Sequence, residues 1–158
     1  MKTDKSQHLK ELVEKIGVAV EKSGFQPAMG RVLACLMVSD PPYKTFEEIH
    51  QYLGVSKSAV SNALNALMSR DIVDYITLPG DRKRYFQLSG NGLITQMKRK
   101  MGLHSSIPDL MREVLKARTG KHPEFNQSLQ ELIEFVAFME KETRAAIDKW
   151  ESMKYKKS

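Results

Sequence analysis

The chain has 158 residues and a formal net charge of +6, from 25 Lys and Arg against 19 Asp and Glu. With 41% hydrophobic and 28% charged residues it is too apolar for general disorder, and its length fits one domain. No basic, apolar leader opens it, its longest apolar run (Val32 to Val38) is far too short to span a membrane, and its one cysteine, Cys35, can form no internal disulfide; the expectation is a cytoplasmic protein without membrane contact.

The periodicity predicts a first amphipathic helix from Gln7 to Lys22, with Leu9, Leu12, Val13, Ile16 and Val20 at spacings of three and four. Ser23-Gly24 ends it, and Phe25-Gln26-Pro27 leads into a second helix over about Ala28 to Val38. That helix is apolar nearly all round, so it belongs in the middle of the core. Asp40-Pro41-Pro42 stops it. A short helix follows from Thr45 to Tyr52, with Thr45 and Glu48 at capping-box spacing and Gly54 as its end. Ser56 caps the next helix, which runs to about Ser69. Val60, Ala63, Leu64 and Leu67 share its inner face, and Lys57, Ser58, Ser61, Asn62 and Asn65 its outer one. Two short helices joined by a Gly turn, the second with a polar outer face, form the helix-turn-helix pattern.

The period then changes to two. Ile72 to Leu78 reads as a strand, Pro79-Gly80-Asp81 as a turn and Tyr85 to Leu88 as the returning strand. A hairpin after a helix-turn-helix is a wing, and its tip would carry Arg82, Lys83 and Arg84. From Asn91 onward the chain is helical, with breaks near Gly102 to Pro108 and Thr119 to Pro123. The last helix, about Glu124 to Met153, carries a heptad-like seam of Leu129, Leu132, Val136, Met139, Thr143, Ala146, Trp150 and Met153. A helix that long needs partners: the N-terminal helix for part of it, a second subunit for the rest.

The physical case for double-stranded DNA rests on the helix that begins after Ser56. The major groove admits one α-helix, and close approach needs small or short polar side chains near that helix's start. Ser56, Lys57, Ser58, Ser61, Asn62 and Asn65 supply them; Asn pairs with adenine in bidentate fashion, and the helix N-terminus suits a phosphate. Arg82, Lys83 and Arg84 suit backbone phosphates or an adjacent minor groove. The plain alternative for each element alone is a solvated helix face or a solvated turn; the ordered set favours DNA.

The segments Gly24 to Leu33, Ser39 to Tyr43, Leu53 to Ser58 and Leu78 to Lys83 resemble the GbsR group within the MarR-type winged-helix transcription regulators. The resemblance covers about Gly24 to Leu88. It implies a homodimer on a pseudo-palindromic operator, usually a repressor, with the N- and C-terminal helices as the dimer interface; Leu9, Leu12, Ile16, Val136, Met139, Ala146 and Trp150 are the candidate dimerisation residues. His50 departs from the family pattern, which has a small residue there. No effector comes with the resemblance, although a small molecule that modulates binding is expected.

The expected fold is mainly α with a small β-hairpin: an N-terminal helix (1–24), a winged helix-turn-helix (25–90) and a C-terminal helical dimerisation region (91–158). The second reading is a winged-helix protein-protein interaction module within a larger assembly, against which the basic wing argues. Structured RNA is a weaker third, because A-form RNA hides its major groove. Cys35, set among Leu33, Leu36 and Met37, reads as core rather than redox switch. His50 reads as packing or surface. His8, His104 and His122 have no metal-ligand spacing, so neither metal nor cofactor is expected. Phe25, Tyr43, Phe46, Phe125, Phe135, Phe138 and Trp150 read first as core and second as an effector pocket. Arg31, on an otherwise apolar helix, is open between an ion pair and a phosphate contact. No nucleophile-base pair, phosphate-cradling loop or paired metal motif supports an enzyme.

Overall fold

The computed structural model describes residues 2–101 and 106–155. They fall into two compact units that divide between Gln96 and Met97. Residues 102–105, within the expected break before Pro108, and Lys156 and Lys157 of the lysine-rich tail lie outside the described residues.

The first unit opens with α1 (Lys2–Lys22). It starts before the expected Gln7, because the polar residues ahead of Gln7 carry no apolar period and yet continue the helix. Gly24, at φ 91°, turns the chain out of it. Next comes α2 (Pro27–Met37), with Pro27 in the first turn, where its missing N–H costs nothing. Val32, Leu33, Ala34, Cys35 and Leu36 are all buried, so this helix is the centre of the core as its composition required. α1 crosses α2 at a glycine pair. A Cβ on Gly30 would lie 2.6 Å from the Gly17 carbonyl oxygen, a separation that only glycine permits. Beside that crossing, Arg31 pairs with Glu14 of α1 at 3.1 Å, and its Nη1 donates to the Pro27 carbonyl. Arg31 therefore serves the helix crossing.

The chain continues through β1 (Tyr43–Thr45), α3 (Phe46–Leu53), α4 (Lys57–Met68), β2 (Val73–Thr77) and β3 (Arg84–Leu88). The expected hairpin is present, with Val73 opposite Leu88 and Thr77 opposite Arg84. It has an additional neighbour. β1 pairs antiparallel with β3, Tyr43 opposite Gln87 and Thr45 opposite Tyr85, which gives a three-stranded sheet in the order β1-β3-β2. Ile49, Val60, Ala63, Leu64, Leu67, Ile72, Val73 and Phe86 close over α2 in one cluster. The turn from α4 into β2 holds Asp71 at φ 57°. Its carbonyl lies against Gly92, where a Cβ would come within 1.7 Å of the Asp71 oxygen. Gly92 begins α5 (Gly92–Lys100), whose Gln96 Nε2 donates to the Arg70 carbonyl at 2.9 Å.

The second unit holds the end of α5, then α6 (Ile107–Ala117) and α7 (Pro123–Tyr155). α6 packs on α7. Lys98, one of the basic cluster Lys98-Arg99-Lys100, pairs with Glu151 of α7. Ile107, Leu110 and Val114 of α6 and Leu132, Phe135, Phe138, Met139 and Trp150 of α7 are large apolar residues left exposed. No described helix is long and apolar enough to cross a membrane.

Candidate nucleic-acid interface

The helix-turn-helix is built from local signals that agree with one another. Thr45 N–H donates to the Glu48 carboxylate at 2.7 Å, its hydroxyl donates to the same oxygen at 2.8 Å, and Glu48 N–H donates back to Thr45 Oγ1 at 3.3 Å. This is the capping box at the start of α3. The Thr45 N–H and hydroxyl hold the Glu48 carboxyl below its ordinary pKa. Gly54, at φ 64°, ends α3 in the left-handed conformation that suits glycine. Ser56 then caps α4: its Oγ accepts from Ala59 N–H at 3.2 Å and lies 3.1 Å from Ser58 Oγ. A cap of this kind stabilises a helix by about 1 kcal/mol. The two signals fix where α4 starts, and therefore which residues occupy its first turn.

On α4 the division of faces is complete. Val60, Ala63, Leu64 and Leu67 are buried, while Lys57, Ser58, Ser61, Asn62 and Asn65 are exposed. Ser56 is exposed too, although its hydroxyl is engaged in capping. The Lys57 ammonium pairs with Glu47 of α3 at 3.2 Å, and the Glu47 carboxyl is held below its ordinary pKa by that lysine. Lys57 thus sits at the start of the exposed face with a partner that a phosphate would have to displace.

The wing presents the second set. Arg82, Lys83 and Arg84 are all exposed. Asp81 organises the tip: its Oδ1 accepts from Lys83 N–H at 2.9 Å and its Oδ2 from the Tyr85 hydroxyl at 2.7 Å. The Tyr85 hydroxyl lowers the Asp81 pKa, and the bond to Asp81 raises that of Tyr85. Tyr85 also stands edge-on to Tyr43, with ring centroids 5.4 Å apart, so β1 buttresses the strand that carries the tip. The Arg84 guanidinium rests 4.8 Å from the centre of the Tyr75 ring, a cation–π contact that keeps its charge in water. The three cations are legible in the sequence, whereas the roles of Asp81, Tyr85 and Tyr43 at the wing are not, because they come from pairing across strands.

The remaining candidates separate cleanly. The Cys35 thiol is fully buried and desolvation pushes its pKa up to about 11, so it stays protonated at neutral pH. Phe25 and Phe46 pack against the core, in accord with the plainer reading of the aromatics. Phe125, Phe135, Phe138 and Trp150 do not: each is exposed, with Arg118 over the Phe125 ring at 4.4 Å and Lys154 over Trp150 at 5.6 Å. Of the dimerisation candidates, Met139, Ala146 and Trp150 are exposed, and Leu9, Leu12, Ile16 and Val136 are partly so.

Comparison with known proteins bears on the same segments. Residues 23–84 match a family model described as the MarR family, and residues 91–153 match one described as MmpR5-like MarR family transcriptional regulator. The HTH-type transcriptional regulator MmpR5 of Mycobacterium tuberculosis is 26% identical over 140 residues, which cover 89% of this chain and 85% of that protein. A crystal structure described as a transcriptional regulator overlays with a TM-score of 0.69 at 25% identity, covering 92% of this chain and 99% of the other. These similarities are to transcriptional regulators and not to enzymes.

Proposed function

Because the chain belongs to the MarR family of winged helix-turn-helix DNA-binding transcriptional regulators, we propose that it acts in the cytoplasm as a homodimeric repressor on a pseudo-palindromic operator. α4 enters the major groove with Ser58, Ser61, Asn62 and Asn65 toward the base edges. Ser56 and Lys57 stand at the helix start for a phosphate, and Arg82, Lys83 and Arg84 of the wing hold the flanking backbone. The observation that carries this reading is the face of α4: every polar candidate on it is exposed, while the opposite face is locked into the core.

Dimerisation is supported by the apolar residues exposed on α6 and α7, too many for a chain that stays alone in water. A two-fold dimer sets its recognition helices about 34–36 Å apart, one turn of DNA. In the same proposal, residues 25–90 bind DNA, and 1–24 with 91–158 supply the interface. A small-molecule effector acts on the dimer and shifts its affinity for the operator. Within the family, the segments from Gly24 to Lys83 favour the GbsR group, whereas the C-terminal helices match the MmpR5-like description.

Two measurements test the reading. Asn62→Ala is expected to change sequence preference, because a bidentate contact to a base discriminates by about 1–3 kcal/mol. Sedimentation of the purified chain is expected to give a dimer. An unchanged preference removes Asn62 from the reading face, and a monomer at working concentration removes the two-fold operator.

A further inference from the structure

We infer that His50 is a positioning residue for the recognition helix: its imidazole fastens α3 to the turn that launches α4 and so sets where the reading face stands. This rests on the proposed function, since it assigns a role within that same DNA-reading unit. His50 Nδ1 lies 2.7 Å from the Val55 carbonyl oxygen, in a half-buried position. A carbonyl only accepts, so Nδ1 carries the hydrogen and donates.

The place of this bond gives it its effect. Gly54, immediately ahead of Val55, is the loosest joint in the turn: it has no side chain and stands at φ 64°. A tie that spans Gly54 acts beside the apolar packing of α3 and α4 in one core cluster and fixes the turn between them. Three consecutive residues past that joint are then held. Val55 is held by His50, Ser56 by its own cap on Ala59, and Lys57 by Glu47. They are not equal. The Ser56 cap is internal to α4 and does not reach α3. The Glu47–Lys57 pair does reach α3, but its side chains are 51% and 64% exposed, so water and salt weaken it. It is also the contact that a DNA phosphate would compete for. Of these polar contacts, the His50 bond is the half-buried one that reaches α3 and survives such competition.

The test uses the full chain with His50→Ala and His50→Asn. Asparagine offers an N–H at about the reach of Nδ1, so it is expected to restore what alanine removes. In the free protein, hydrogen exchange at the Ala59 and Val60 amides is expected to quicken about tenfold in the alanine variant, with the α2 amides unchanged. On DNA, the alanine variant is expected to lose about tenfold in affinity for the selected site. Affinity for non-specific duplex and the salt slope stay as in the parent, because no phosphate contact is lost.

Exchange that quickens equally in α2 and α4 reduces His50 to general stability and overturns the inference. Unchanged exchange and affinity in the alanine variant overturn it as well. Should that variant fail to fold, ring NMR of the parent decides: an Nδ1–H shielded from solvent supports the tie, and a hydrogen on Nε2 alone refutes it. A parent that selects no DNA site refutes the proposed function instead, and the exchange comparison still decides whether His50 holds α4.

Discussion

Removing one wing cation should change the salt dependence of DNA binding by a countable amount. Arg82 is exposed at the wing tip, beside a turn that Asp81 holds through Lys83 N–H and the Tyr85 hydroxyl. Its loss in Arg82→Ala leaves that brace intact, so the change isolates one charge. Each phosphate neutralised contributes about −0.9 to the slope of log affinity against log salt, so the slope should flatten by about 0.9. Between about 50 and 200 mM salt, the ratio of parent to variant affinity should then shrink about 3.5-fold. Loss should be uniform across sequences, since a phosphate contact carries no base information. The assay is fluorescence anisotropy on one selected and one scrambled duplex across the salt series. An unchanged slope refutes the phosphate role of Arg82. A flattened slope confined to the selected duplex refutes the division of labour between wing and helix.

Three further outcomes follow from the geometry. Tyr85→Phe deletes the hydroxyl that binds Asp81; affinity for all duplexes should fall about threefold as the wing tip loosens, and the Asp81 carboxyl should move back up toward its ordinary pKa, which carboxyl NMR reads directly. Gly92→Ala sets a Cβ within 1.7 Å of the Asp71 oxygen, an overlap of backbone that should cost about 3 kcal/mol and lower Tm by about 10 °C in a calorimetric scan. The folded chain holds the Cys35 proton up to about 11, from an ordinary 9.0. The unfolded chain therefore binds fewer protons between those values, and stability should fall as pH rises through that window, with no Cys35 contribution below it. Cys35→Ala should remove that part of the decline in urea midpoints measured across the alkaline range.

The parts of the fold that the sequence disclosed are those specified by neighbouring residues. The Thr45–Glu48 capping box, the Gly54 stop and the Ser56 cap each need only a few residues, and each stands where its spacing placed it. The same holds for the buried face of α4 and the burial of α2 from Val32 to Leu36, which follow from period and composition, although Met37 at the end of α2 is exposed. What escaped is tertiary. β1 is three residues long, too short for a period of two to register, and Pro41-Pro42 ahead of it reads simply as a stop. It forms because Tyr43 to Thr45 pair with Tyr85 to Gln87, forty or more residues later. The Arg31–Glu14 pair spans two helices, and the Asp81–Tyr85 bond needs the hairpin closed before its partners meet. The candidate DNA residues of α4 were legible because exposure follows from the helical period, and those of the wing because a turn signal precedes them. The contacts that position them, from Glu47, His50, Asp81 and Tyr85, were not, since those depend on how the elements pack.

In the proposed function, α4 and the wing read operator DNA with two-fold symmetry. Selection of bound duplexes from a random pool, with purified full-length chain at low salt, tests it most directly. Enrichment of an inverted repeat is expected, with half-sites about one helical turn apart, about 34–36 Å. Enrichment of a single asymmetric site contradicts the two-fold dimer, and no enrichment at all contradicts sequence-specific reading by α4.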